Sequence, residues 1–138
     1  MRYMIMVKAN AESEAGTMPS DEMISAMADY HEELAKAGVL LDASGLHPSS
    51  HGWRVKFSGE KRTVIDGPFS EAKELIAGYT LIEVKSREEA QEWVRRFPNP
   101  GEAEAEAEIE VRQLFELDEF EQTPGVERFR NLDLPSQS

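Results

Sequence analysis

The stretch Thr63–Glu83, TVIDGPFSEAKELIAGYTLIE, sets the frame for the rest of the chain. The apolar-rich run Arg62-Thr63-Val64-Ile65 reads as a strand, and Gly67-Pro68 closes it as a rigid corner. Glycine supplies φ values that other residues avoid, and proline fixes φ near about −65°. Asp66 therefore stands where a strand ends. A carboxylate there either bonds nearby backbone N–H groups or points into a pocket. Ser70 opens a short helical turn, and Ile76 to Val84 reads as the next strand.

Upstream, Trp53–Ser58 forms a hairpin with Arg62–Ile65, turning at Gly59-Glu60-Lys61. At the start of the chain Tyr3, Ile5 and Val7 alternate with Met4 and Met6, so residues 2–8 read as a strand covered on both faces. Asn10 to Ser20 reads as a polar loop. Ser20 or Asp21 caps a helix that runs to about Ala37 and is ended by Gly38. Met23, Met27, Tyr30, His31 and Leu34 recur at spacings of three and four and share one face of it. Val39–Ala43 reads as a second strand, followed by a loop from Gly45 to Gly52.

Downstream, Ser86-Arg87-Glu88-Glu89 is a capping box opening a helix that ends near Phe97-Pro98, with Ala90, Trp93, Val94 and Phe97 as its buried stripe. Glu102–Leu117 alternates glutamate with alanine or larger apolar residues. The period of two predicts a strand from Ile109, with the Glu-Ala repeat before it as an extension or loop. The domain is expected to occupy residues 1–118. The polar tail 119–138, with its two prolines, is expected to be mobile or laid across a partner.

The order β-α-β, hairpin, β-α-β predicts an α+β fold, a ferredoxin-like βαββαβ subunit with an inserted β-hairpin and both helices on one face of an antiparallel sheet. The other face also needs cover, because the first strand is apolar on both sides. A second copy of the chain is the economical cover, making a homodimer the expected partner state.

Composition narrows the function classes. The chain has no cysteine, which excludes disulfides, thiolate zinc sites and cysteine nucleophiles. No signal-peptide pattern opens the chain and no apolar run spans a bilayer, so a cytoplasmic location is expected. A formal charge of −12 repels phosphate backbones and anionic membranes, so neither nucleic acid nor membrane is an expected partner. Residues 53–73 carry net +2, leaving −14 on the rest. This basic hairpin reads first as a solvated face, and otherwise suits an anionic small molecule or an acidic surface of a dimer mate.

Three residues are candidates for chemistry. His31 lies on the sheet-facing side of its helix, as a hydrogen-bonded core histidine or a titrating group at a pocket wall. His47 is held extended by Pro48 at a strand end. A carboxylate such as Asp66 beside either imidazole would fix its tautomer and give a general acid/base near neutral pH. Tyr79, Arg54 and Phe69 are the candidate substrate-binding residues. A metal held by His31, His47 and Asp66 is not required by any spacing, and no metal is expected. No nucleophile elbow, P-loop or dinucleotide fingerprint is present, and no cofactor is expected.

The run Thr63–Glu83, together with Tyr30-His31-Glu32-Glu33-Leu34, Ala37-Gly38-Val39-Leu40-Leu41, Gly45-Leu46-His47-Pro48-Ser49-Ser50 and Ser86–Trp93, resembles the DGPF-type branch of the YCII-related proteins across roughly residues 1–117. The resemblance implies a dimeric α+β barrel of ferredoxin-like subunits. It places His31 where the wider family carries its catalytic histidine, although the DGPF branch often has asparagine there. It implies either a small enzyme using a His–Asp pair or a non-catalytic accessory protein that binds a ligand or partner, for example in a sigma-factor pathway.

Overall fold

The computed structural model describes residues 1–132 and Leu134. The first strand is a central one. β1 (Arg2–Lys8) lies inside a four-stranded sheet of order β2-β5-β1-β6, formed with β2 (Leu40–Gly45), β5 (Ile76–Glu83) and β6 (Ile109–Gln113). All its neighbours run antiparallel. Tyr3 stands opposite Ile82, and Ile5 opposite both Thr80 and Val111, so these residues share one face. Met4 opposite Leu81, and Met6 opposite Tyr79, occupy the other.

α2 (Asp21–Lys36) and α3 (Arg87–Arg95) cover the first face. Tyr30 and Leu34 of α2 and Ala90 of α3 join Tyr3, Ile5, Val39, Ile82 and Val84 in one core. Ile5, Leu34 and Ile82 are the largest fully buried side chains, each contributing roughly 1.5–3 kcal/mol of hydrophobic stabilisation. Ser20 Oγ accepts from Met23 N to start α2, and Gly38, at φ +75°, ends it. Ser86 Oγ accepts from Glu89 N at the start of α3, while the Glu89 carboxylate reaches back to Lys85 N at 2.8 Å. The subunit is the expected ferredoxin-like α+β arrangement.

The insertion between β2 and β5 is a separate two-stranded sheet of β3 (Trp53–Ser58) and β4 (Lys61–Asp66). Its root is locked by a close approach of backbones. Gly67 N donates to Gly52 O at 2.9 Å, and a Cβ at position 67 would lie 1.9 Å from the Ser49 carbonyl oxygen. Only glycine fits there. Phe69 N donates to Ser49 Oγ at 2.9 Å. Ser49 in turn donates from its N, at 2.9 Å, and from its Oγ to the Glu14 carboxylate. The Asp-Gly-Pro-Phe corner is thus docked on the turn Ser49–His51.

Two segments expected to be irregular contain short helices. Residues 11–14 form α1 (Ala11–Glu14), because Asn10 and Ser13 bond each other's backbone in a capping box. The tail holds α4 (Pro124–Arg130), where Thr123 caps and Pro124 opens the helix instead of breaking it. Arg130 bonds Asp118 at 3.0 Å and ties α4 to the preceding turn. Buried Arg2 holds the chain after β6 by pairing with both Glu116 oxygens, at 2.9 and 3.1 Å. The tail expectation also covered positions 133 and 135–138, which lie outside the described residues. Among the described residues, no helix is long and apolar enough to cross a membrane.

Candidate functional site

The shared face that predicted burial for α2 divides along its length. Tyr30 and Leu34 enter the core, whereas Met23, Met27 and His31 border a cavity of about 530 Å³. The cavity lies between the N-terminal half of α2 and the adjoining ends of β1, β2 and β5. Val7, Ile24 and Phe97 add apolar wall, and Thr80 adds a hydroxyl beside His31.

Both nitrogens of the His31 ring are engaged. Nδ1 lies 2.7 Å from the Met27 carbonyl oxygen, one helical turn back. A carbonyl only accepts, so Nδ1 carries a proton. In the neutral ring Nε2 is then the acceptor, and the Thr80 hydroxyl donates to it at 2.8 Å. When the ring is protonated, the same hydroxyl can rotate and accept. Tyr30 packs edge-on against the imidazole with centroids 5.6 Å apart, and Phe97 does so at 6.4 Å. The Tyr30 hydroxyl donates to Trp93 O at 2.7 Å. Burial pushes its pKa up to about 12, against a smaller lowering effect from Arg96.

A strap borders the cavity. The Glu102 carboxylate accepts from Ser20 N and Ser20 Oγ, both at 2.9 Å. Its charge thus sits at the N-terminus of α2, where the exposed N–H groups favour an anion. A tight turn aims Glu102 there. Ala103 and Glu104 adopt φ of 53° and 60°, a left-handed conformation that costs non-glycine residues energy. A Cβ on Gly101 would meet Ala105 O at 2.5 Å. Sequence reading found the Ser20 cap but not Glu102, whose signal is lost among identical glutamates of the Glu-Ala repeat.

The other candidates lie elsewhere. Tyr79 borders the cavity, but strand alternation turns its side chain to the opposite sheet face, where its hydroxyl donates to Asp42 at 2.9 Å. That hydrogen bond raises the Tyr79 pKa, since ionisation would set a phenolate against a carboxylate. Asp66 is exposed at the end of β4, opposite Trp53, and does not line the cavity. His47 is exposed and stacks on His51 with centroids 4.5 Å apart. The Arg54 guanidinium lies 3.7 Å from the Phe69 ring centroid. Within one chain the structure joins Arg54 to Phe69 and His47 to His51, and leaves His31 apart from Asp66. Among the described residues, no three His, Asp or Glu side chains gather as a metal-binding cluster.

Residues 1–118 match the model of the YCII-related domain. The chain belongs to the YCII-related family. A relative within reach of direct alignment is an uncharacterized protein, R00369, of Rhizobium meliloti (strain 1021). It is 30% identical over 93 residues, which cover 65% of this chain and 75% of that protein. Among solved structures, the YCII-related chain is similar to a 5-chloro-2-hydroxyhydroquinone dehydrochlorinase (TftG) from Burkholderia phenoliruptrix AC1100, in complex with 2,5-dihydroxybenzoquinone. The identity is 14%, the coverage 84% of this chain and 95% of the other, and the TM-score 0.46.

Proposed function

We propose that this YCII-related protein binds a small, largely apolar organic molecule in the cavity beneath α2 and uses His31 to move a proton on it. The observation that carries the reading is the imidazole itself. Its tautomer is set by the Met27 carbonyl, and its Nε2 meets a hydroxyl at the wall of a cavity whose apolar lining includes Met23, Met27, Ile24, Val7 and Phe97. Apolar walls suit a hydrophobic ring or short chain, and a few convergent polar groups orient it. A substrate hydroxyl or acidic C–H that displaces the Thr80 hydroxyl would meet the ring lone pair as a general base. The working unit in this reading is a homodimer, because Met4 and Met6 are only partly covered on the sheet face away from the helices. Asp66 and His47 have no part in the proton step within one chain. A non-catalytic binding role for the same cavity is favoured by one specific feature, the full engagement of both ring nitrogens.

The test uses methyl NMR of the methionines with phenol, indole and 1-phenylpropan-2-one as probes. Binding should shift Met23 and Met27 selectively, and Met27→Trp should abolish it. Deuterium uptake by 1-phenylpropan-2-one from heavy water should then be faster with the wild type than with His31→Gln. Binding with equal uptake selects the non-catalytic role. Failure of all three probes to shift either methionine rejects the cavity as a binding site.

A further inference from the structure

The most unusual surface is the hairpin. Every residue of β3 and β4 is exposed, Trp53 and Phe57 each at 65% and Val64 at 62%. The register sorts these residues. Trp53 faces Asp66, Val55 faces Val64 and Phe57 faces Arg62 on one side, while Arg54, Lys56 and Lys61 occupy the other. The ribbon thus carries an apolar face and a basic face. A lone two-stranded ribbon is marginally stable in water, and a contiguous exposed apolar patch marks an interaction surface.

Charge decides among occupants. The hairpin, residues 53–66, carries four basic and two acidic side chains. On a chain of formal charge −12, an anionic bilayer or nucleic acid would be repelled by everything around the hairpin. An acidic protein surface with exposed aromatic residues is the complementary partner, and this chain has one. Residues 102–121 hold nine acidic residues against Arg112 alone. They also present Phe115, 71% exposed, and Phe120, 45% exposed, with ring centroids 5.1 Å apart.

We infer that the hairpin of each protomer docks on the segment 102–121 of a second copy. This rests on the homodimer reading given above and adds a second contact to it. A two-fold pair forms the contact twice, as closed dimers do. The apolar face meets Phe115 and Phe120, and Arg62, the basic residue on that face, meets the glutamates around them. The hairpin root is bonded through Ser49 to Glu14 of α1, and α1 contributes Glu12 and Ser13 to the cavity rim. Docking therefore bears on the segment that borders the cavity.

Sedimentation equilibrium on the wild type, Trp53→Glu/Val64→Glu and Phe120→Glu tests this. Far-UV circular dichroism verifies that each is folded, and Trp53→Ser/Val64→Ser serves as the milder hairpin variant. The wild type should be a dimer, and both surface variants should raise its dissociation constant at least about 100-fold. A monomeric wild type would overturn the dimer reading together with this inference. A dimer unaffected by either hairpin variant would overturn the inference alone, as would one sensitive to the hairpin but not to Phe120→Glu. Hairpin-dependent binding of the wild type to phosphatidylserine vesicles without self-association would assign the surface to membranes instead.

Discussion

Tyr30 supports the His31 wall, and its ionisation offers a quantitative check on the packing there. Its hydroxyl is 2.7 Å from Trp93 O, and the residue is only 4% exposed. Burial raises its pKa from 10.0 to about 12. The folded state therefore holds the phenolic proton through a pH range in which the unfolded chain releases it. Below about pH 10 both states are protonated and stability does not depend on this group. Above that pH the unfolded state binds fewer protons, so stability falls as pH rises, by about 1.4 kcal/mol per unit until the folded pKa is reached. Over the whole interval the loss is about 2–3 kcal/mol. Tyr30→Phe keeps the ring against His31 and Phe97 but removes the ionisation and the hydrogen bond. Near pH 8 the variant should be less stable by about 1 kcal/mol, the usual net worth of such a bond. Near pH 11 the wild type should have lost about 1.4 kcal/mol more than the variant, closing the gap. Urea unfolding of the two proteins at both pH values measures this. Lysine deprotonation and general repulsion affect both equally and cancel. A gap that stays constant from about pH 8 to pH 11 would refute the reasoning.

Three further outcomes follow from the geometry. Gly67→Ala should lower stability by about 1–3 kcal/mol through overpacking against Ser49, read as a fall in melting temperature, and a neutral result would mean the corner is not packed on that turn. Nitrogen-15 correlation spectra of neutral His31 should show the Nδ1–H tautomer, and Thr80→Val should shift the Nε2 resonance while leaving Nδ1 protonated. An Nε2–H ring would contradict the hydrogen bond to Met27. Glu102→Ala should fray the start of α2 and speed both entry and exit of a bound probe such as indole, seen by NMR exchange at Met23, and unchanged rates would show that the strap does not gate the cavity.

The fold was legible because its information is local and redundant. Alternation in residues 2–8, the three-and-four spacing from Met23 to Leu34 and the Ser86–Glu89 box each specify an element, and their order leaves few topologies. What escaped the sequence was cooperative or ambiguous. The Asn10–Ser13 capping box makes only one turn of helix, and Thr123-Pro124 reads equally as a breaker or a start. At the site, His31 was legible from its helix face. Its partners were not, because the Met27 carbonyl carries no sequence signal and Thr80 becomes a partner only when β5 lies under α2. Glu14 and Glu102 were invisible for a simpler reason. They are two of many acidic residues, and only tertiary structure distinguishes a carboxylate bonded to Ser49 or Ser20 from one in solvent.

The most conspicuous motif and the candidate site are different things joined by a short chain of contacts. Asp66-Gly67-Pro68-Phe69 does not reach the cavity in its own protomer, and its glycine is required by the backbone of Ser49. Yet Ser49 also holds both Phe69 N and the Glu14 carboxylate, and Glu14 closes the helix whose Glu12 and Ser13 border the cavity. The corner therefore acts on the site at one remove, by fixing α1. A corner that admits only glycine at position 67 is more than a solvated loop requires, because a short Gly-rich turn would join β2 to β5 with less constraint. The corner makes sense if hairpin orientation matters on both of its sides, outward to a partner surface and inward to the cavity rim.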